Sequence, residues 1–337
     1  IILKKNSKKL YLYCLPIILL IIIYFFGYQS LKFNETSYEN IDLLLVQPNI
    51  EQKIKWLPSY KESITKKLLN LSNQVNEEDT SFNEKYIIWP ETALPTLIDE
   101  DDIVMDKIAS LLNKNTFLLT GAVRREKDNK NHSYKYYNSF FIINENKQII
   151  DKYDKRILVP FGEYIPFSNL IDKFFEFDIA GLTGSFSKGT KKILNTSKNF
   201  SVLICYEIIF SGRAYSKEKR PNWILNITND AWFGKSAGPY QHLAMSKIRA
   251  VEEGLPVIRV ANTGISAIID PKGRVLKKLS LGETSVIKSK LPKKMDPTFY
   301  THYGKMSITL IMVVISLIVY YIHIRRIIII KKKNRKF

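Results

Sequence analysis

The sequence predicts an α/β domain carried between two membrane-spanning helices, and three observations predict it. Short apolar runs rich in Val, Ile and Leu alternate with amphipathic stretches across residues 41–270. Two long runs, 10–31 and 306–324, are almost free of charge, and each is near the roughly 20 residues that a helix needs to cross a bilayer. Basic residues gather outside both runs: Lys4, Lys5, Lys8 and Lys9 before the first, and Arg325, Arg326, Lys331, Lys332, Lys333, Arg335 and Lys336 after the second.

In the first run Pro16 is tolerable within a membrane helix, and Tyr24 and Tyr28 suit an interface. In the second only His323 can carry charge. The positive-inside rule then puts both chain ends in the cytoplasm and the intervening residues on the other face. Buried core helices are the plain alternative for such runs. The chain begins with Ile, so it reads as a piece of a longer protein, and a signal peptide cannot be judged from it.

Between the runs, residues 41–46 read as a buried strand and 58–75 as an amphipathic helix. Strands follow at 86–89 and 116–120 around a helix at 103–112. Residues 137–144 and 148–153 form a hairpin pair, and further strands lie at 202–205 and 223–228. A helix at 240–253 is closed by Gly254, then strands at 257–261 and 265–270 lead into the turn Pro271-Lys272-Gly273. The polar tracts 73–85 and 124–135 read as surface loops.

The net charge of +19 would suggest nucleic acid or an anionic membrane if it were clustered. The clusters flank the apolar runs and the remaining lysines are scattered, with no nucleic-acid motif, so nucleic acid is set aside. The two cysteines, Cys14 in an apolar run and Cys205 far from it, make no disulfide framework. The four histidines lack ligand spacing, so no metal site is expected.

Three predicted strands end on residues with chemistry. Trp89-Pro90-Glu91-Thr92 sets a carboxylate beyond a strand that Pro90 has ended. Tyr153-Asp154-Lys155-Arg156 puts a lysine at a strand exit, and Cys205 follows Val202-Leu203-Ile204. Brought together, Glu91 would take the thiol proton as general base, and Lys155 would favour the thiolate and hold an oxyanion. Each also has an ordinary reading: a helix N-terminal glutamate, a surface lysine, a small buried cysteine. Asn229-Asp230 would hydrogen-bond near the site or cap the next element, and Arg249 with Glu252 reads as a structural pair.

The motifs Trp89-Pro90-Glu91-Thr92, Tyr153-Asp154-Lys155-Arg156 through Pro160-Phe161-Gly162-Glu163-Tyr164, Ile204-Cys205-Tyr206-Glu207 and Thr228-Asn229-Asp230-Ala231-Trp232-Phe233-Gly234 resemble those of the bacterial apolipoprotein N-acyltransferases, a membrane branch of the nitrilase superfamily. The likeness covers about residues 10–325. It implies a four-layer α-β-β-α sandwich flanked by two transmembrane helices. Residues 1–9 and 325–337 would be cytoplasmic, 10–31 and 305–324 would span the inner membrane, and 32–304 would form a periplasmic catalytic domain.

The resemblance makes Glu91 the base, Lys155 the oxyanion stabiliser and Cys205 the nucleophile. Glu163 corresponds to a second essential glutamate, Tyr206 and Glu207 to residues that support the site, and Trp56 to a tryptophan on a mobile arm. Where the family reads Gln-Gly-Asn, this chain has Gln47-Pro48-Asn49, which stiffens that entry and touches no catalytic group. The implied reaction passes an acyl chain from a phospholipid to Cys205 and then to the α-amino group of a diacylglyceryl-apolipoprotein. It needs no cofactor, and the protein is expected to be a monomer. Further N-terminal helices, usual in the family, would precede this chain. The aromatic stretch Phe174, Phe175, Phe177 and Phe186 around Gly181 and Gly184 would be an apolar mouth or simply core. A membrane-tethered amidase and a non-catalytic scaffold of the same fold are the alternatives.

Overall fold

In strand β1 (Tyr38–Gln47), Leu43 and Leu45 face one side and Leu44 and Val46 the other, and all four are buried. A strand apolar on both faces needs a layer on each side, and the computed structural model of the chain supplies both. It describes residues 7–32, 35–73, 83–128, 133–164, 186–190, 199–216 and 218–334.

The first sheet has the order β11-β1-β2-β3-β4-β5. Here β2 is Glu84–Ile88, β3 Thr116–Lys127, β4 Tyr134–Ile143, β5 Ile149–Asp154 and β11 Ser285–Pro292. Strands β1, β2 and β3 pair in parallel, and β3, β4 and β5 antiparallel. The second sheet has the order β10-β9-β8-β7-β6, with β6 Phe200–Ile204, β7 Trp223–Thr228, β8 Val257–Ala261, β9 Ala267–Ile269 and β10 Val275–Lys278. Its strands β6, β7 and β8 are parallel, and β8, β9 and β10 antiparallel.

Three apolar clusters mark three interfaces between four layers. Leu43, Leu45, Tyr86, Phe140, Phe200, Trp223 and Val260 fill the space between the sheets, where the Phe200 and Trp223 rings stack at 4.3 Å. Burying each such Leu or Phe contributes roughly 1.5–3 kcal/mol. Helices α3 (Lys61–Asn73) and α4 (Asp102–Ala109) turn Ile64, Leu68, Val104 and Ile108 onto the outer face of the first sheet. Helix α5 (Gly238–Glu253) covers the second sheet, and Gly254 closes it at φ +62 in the left-handed conformation that glycine accepts. The α-β-β-α sandwich expected from the sequence is present.

Several boundaries differ from expectation. The tract 124–135, expected to be loop, contains the ends of β3 and β4, paired from Arg124 with Tyr137 to Lys127 with Tyr134. These ends are held by polar contacts: Arg124 lies 4.1 Å from the Tyr137 ring and Arg125 4.5 Å from the Tyr134 ring. Hydropathy patterns do not register strands of that kind. The edge strands β10 and β11, interrupted by lysines, were likewise not foreseen. The expected helix at 58–75 opens with a 3-10 turn at Pro58–Tyr60, and α4 stops at Ala109. Phe174, Phe175, Phe177, Gly181 and Gly184 lie outside the described residues, whereas Phe186 is half-buried.

The chain divides into units Ile1–Tyr38 and Glu39–Phe337. The first holds helix α1 (Ser7–Lys32), with Pro16 inside it. The second ends in a short helix α6 (Phe299–Tyr303) and then α7 (Lys305–Asn334), which runs on past residue 324. Cys14–Lys32 and Thr309–Ile328 are each long and apolar enough to cross a membrane.

Candidate active site

Glu91 sits in a turn immediately beyond β2, and that turn crosses β3 at Gly121. The Gly121 amide donates to Pro90 O at 3.1 Å, and the Ala93 amide donates back to Gly121 O at 2.8 Å. A Cβ at Gly121 would lie 2.7 Å from Glu91 Cα and from Thr92 N, so only glycine admits this crossing. Thr92 takes φ +43, uncommon for a β-branched residue. A buried lysine fixes it there: Lys55 Nζ, on the short helix α2 (Gln52–Lys55), donates to Thr92 Oγ1 at 2.7 Å and to Glu91 O at 3.4 Å.

The Glu91 carboxylate is engaged on both oxygens. Oε1 accepts from Asn138 Nδ2 at 2.7 Å and lies 3.4 Å from Lys155 Nζ, while Oε2 accepts from the Asn229 amide at 2.8 Å. Lys155 follows β5 and is fully buried. Its Nζ donates to Glu163 Oε1 at 2.8 Å, and that oxygen also accepts from Asn138 Nδ2 at 2.9 Å. The second Glu163 oxygen accepts from the Val159 amide at 2.9 Å, fastening the turn that carries it.

Cys205 opens a 3-10 turn directly after β6 and has φ +51. Its thiol interacts electrostatically with Glu91 and Lys155, which brings the three strand-end groups into one site. Burial pushes the thiol up to about 12, and Glu91 adds to that; Lys155 and Thr228 pull the other way. The expectation that Lys155 favours the thiolate therefore holds in sign and is outweighed: the resting group is a thiol beside a base. Burial also acts to lower Lys155, but Glu91, Cys205 and Glu163 outweigh it and raise the net value, so the ammonium persists. Burial lowers Lys55 to about 8 against the pull of Glu91.

The other expected residues surround this group in different ways. Glu207, fully buried, accepts from Tyr153 Oη at 2.9 Å and from the amides of Ile204, Arg156 and Ile157 at 2.9, 2.8 and 3.1 Å. It thereby ties the Lys155 turn to the Cys205 turn. Tyr206 meets Phe210 edge-on and packs beside the His242 ring. Trp56 ends α2 with its ring 5.9 Å from Lys55 Nζ. Asn229 does both things expected of it: its amide holds Glu91, and its side chain accepts from the Ala231 amide at 3.4 Å. Arg249 pairs with Glu252 on α5 as expected. Gln47, Pro48 and Asn49 bond to residues 262, 266 and 280–284.

Asn138 and Lys55 were not foreseen. An Asn inside the apolar run of β4 was the available signal for the first, because strands are depleted in Asn. Lys55 had no signal beyond its neighbour Trp56. Among the described residues no group of three or more His, Cys, Asp or Glu is placed to hold a metal ion. Chemically, the arrangement offers a nucleophilic thiol, a fixed carboxylate base and a permanent cation for developing negative charge.

Known proteins resemble this chain in sequence and in fold. The carbon-nitrogen hydrolase family matches residues 45–298. Apolipoprotein N-acyltransferase of Rhodopseudomonas palustris is 38% identical over 301 residues, covering 87% of this chain and 56% of that protein. That of Rickettsia prowazekii is 37% identical over 326 residues, covering 94% of this chain and 63% of the relative. The chain thus spans little more than half the length of these curated relatives. Among solved structures, a nitrilase-superfamily member from Saccharomyces cerevisiae superposes with a TM-score of 0.54 at 21% identity, over 76% of this chain and 91% of that one. Glutamine-dependent NAD+ synthetase from Acinetobacter baumannii gives 0.52 at 16% identity, over 76% and 47%. At these identities the two structures speak to the fold alone.

Proposed function

The chain belongs to the carbon-nitrogen hydrolase family, and from that premise we propose that it is an apolipoprotein N-acyltransferase acting through a Cys205 thioester. In the first half-reaction Cys205 Sγ attacks the acyl ester carbonyl of a phospholipid while Glu91 takes the thiol proton. Lys155 Nζ donates to the oxyanion. Collapse expels the lysophospholipid alkoxide, which recovers the proton from Glu91. In the second, the α-amino group of a diacylglyceryl-cysteine attacks the thioester, Glu91 takes a proton from the amine, and the thiolate leaves to be reprotonated. Glu163 and Asn138 hold Lys155 and Glu91 in register throughout.

One observation carries the choice of a lipid over a small polar amide. The loops that supply site residues also expose large apolar side chains: Tyr206 after Cys205, Trp232 and Phe233 after Asn229-Asp230, Phe161 two residues before Glu163, and Leu57 two residues after Lys55. Trp232 and Phe161 are 66% and 67% exposed. An amidase for a small polar substrate has no use for exposed apolar side chains on its site loops, whereas an acyl chain arriving from a bilayer does.

We further propose that the catalytic domain lies on the periplasmic face of the bacterial inner membrane, a reading supported by the basic residues outside both apolar helices, and that the protein acts as a monomer. The test of function is incubation of the purified chain with phospholipid and no acceptor, followed by intact mass spectrometry. One acyl group on Cys205 and one released lysophospholipid are expected, with hydroxylamine removing the adduct. Equal acyl transfer to a lipopeptide by Cys205→Ala refutes the covalent route.

A further inference from the structure

Beneath Cys205 lies a buried polar chain that the proposed chemistry does not use. The Cys205 carbonyl oxygen faces His242 Nε2 at 3.1 Å and accepts from Asn226 Nδ2 at 3.2 Å. Behind the imidazole, Nδ1 lies 2.9 Å from Asp230 Oδ1 and 3.2 Å from Arg259 Nη2. Arg259 Nη2 also donates to Asp230 Oδ2 at 2.6 Å, and Thr228 Oγ1 donates to Asp230 Oδ1 at 3.0 Å. His242, Asp230, Arg259 and Asn226 are all buried, with Arg259 and Asn226 wholly so.

Two features give this chain a purpose beyond packing. Its end point is the carbonyl of a residue held at φ +51, a conformation that an L side chain adopts only when its surroundings enforce it. Thr228 and Asp230 also bracket Asn229, whose amide holds the Glu91 carboxylate. One three-residue segment thus fixes the base directly and reaches the nucleophile through His242.

We propose that His242 is a positioning residue for the nucleophile: backed by Asp230 and Arg259, its Nε2–H holds the Cys205 peptide so that the thiol faces Glu91 and Lys155. A carbonyl oxygen only accepts, so Nε2 carries its proton in the neutral and in the charged ring. Nδ1 then accepts from Arg259 in the neutral ring and donates to Asp230 in the charged one. The hold on Cys205 is the same in either state. The inference rests on Cys205 being the nucleophile and not on which acyl donor it attacks.

The test needs no substrate. In the detergent-solubilised chain carrying Cys14→Ser, the rate of Cys205 alkylation by iodoacetamide is followed by intact mass spectrometry at one alkaline pH. Glu91 raises the thiol pKa, so Glu91→Gln speeds alkylation, by about tenfold if it removes one pKa unit. If His242 aims the thiol at Glu91, that acceleration falls below about twofold when the donor is lost in His242→Leu or His242→Ala. It survives in His242→Gln, whose amide N–H can replace Nε2–H. An undiminished Glu91 effect in His242→Leu overturns the proposal, and so does a His242→Gln chain that behaves like His242→Leu. Failure of both donorless variants to fold also overturns it, by reducing His242 to a stability residue. Wild-type protein that ignores phospholipid while keeping this pattern would count against the lipid reading and leave the positioning role intact.

Discussion

The amide of Asn229 donates to Glu91 Oε2 at 2.8 Å, and this bond crosses from one sheet to the other. Glu91 follows β2 of the first sheet and Asn229 follows β7 of the second. The placing of the Glu91 carboxylate therefore depends on how the two sheets stack, and not on its own loop alone. Since Oε1 is held by Asn138 Nδ2 at 2.7 Å, both carboxylate oxygens face donors.

That double engagement makes Glu91→Gln more than the loss of a base. Whichever way the amide turns, its NH2 faces Asn229 N–H or Asn138 Nδ2, donor against donor. Acyl transfer should fall by on the order of 10²–10⁴-fold, with a stability loss of about 1–3 kcal/mol from the unsatisfied group. Yet the thiol should ionise more easily, because Glu91 is one of the groups raising it to about 12. Thiolate absorbance at 240 nm, titrated in a Cys14→Ser background, should show a lower midpoint than wild type. A higher midpoint would contradict the assigned geometry.

Asn138 Nδ2 is shared by Glu91 Oε1 and Glu163 Oε1, at 2.7 and 2.9 Å. Asn138→Asp puts a third carboxylate where the shared donor stood, so like charges face one another and both glutamates lose the amide that holds them. A loss of about 10²-fold in turnover is expected from the displaced base. Glu163→Gln should lose activity as well, because it removes a charge that keeps Lys155 protonated. Turnover measured beside Tm separates both effects from unfolding; wild-type turnover in either variant would remove that residue from the site.

Gly121→Ala tests the crossing of the Glu91 turn over β3. The new methyl would meet Glu91 Cα and Thr92 N at 2.7 Å and Ile227 Cδ1 at 2.9 Å. Two of these are backbone or backbone-bound atoms that cannot swing aside. A destabilisation of about 1–3 kcal/mol is expected, together with a turnover loss larger than the Tm shift alone accounts for. Unchanged turnover would show that the turn has room to move.

Lys55 supplies a pH dependence. Burial lowers it from 10.5 to about 8, so between those values the unfolded chain holds a proton that the folded chain has released. Stability then rises with pH across that interval, by on the order of 3 kcal/mol if no other group intervenes. In Lys55→Met this increment disappears. Tm measured from pH 8 to 10 should climb more in wild type than in the variant, and parallel curves would show that Lys55 is not strained by its burial.

The parallel strands and their terminal chemistry were legible because a doubly buried strand is apolar without interruption, and a polar residue at its end stands out. Val202-Leu203-Ile204 before Cys205 is such a case, and Tyr86-Ile87-Ile88 before Glu91 is another. What the pattern could not carry were groups that matter through a single contact. Asn138 looks like an interruption of β4 until its two glutamate partners are in place. Lys55 looks like one of many surface lysines until its ammonium is found under Thr92. The polar ends of β3 and β4, held by arginine–tyrosine stacking, have the composition of a loop.

Strand β11 lies beside β1 at the end of the first sheet, although nearly the whole domain separates them in the chain. During synthesis the backbone of β1 therefore has an open flank until Pro292 has left the ribosome. Such an edge invites pairing with other strands, so the nascent domain is exposed to misassembly and to chaperone capture for most of its emergence. Glu91, Lys155, Cys205 and His242 all precede that point. A product terminated before Ser285 would hold each of those side chains and still have an unfinished sheet beneath them.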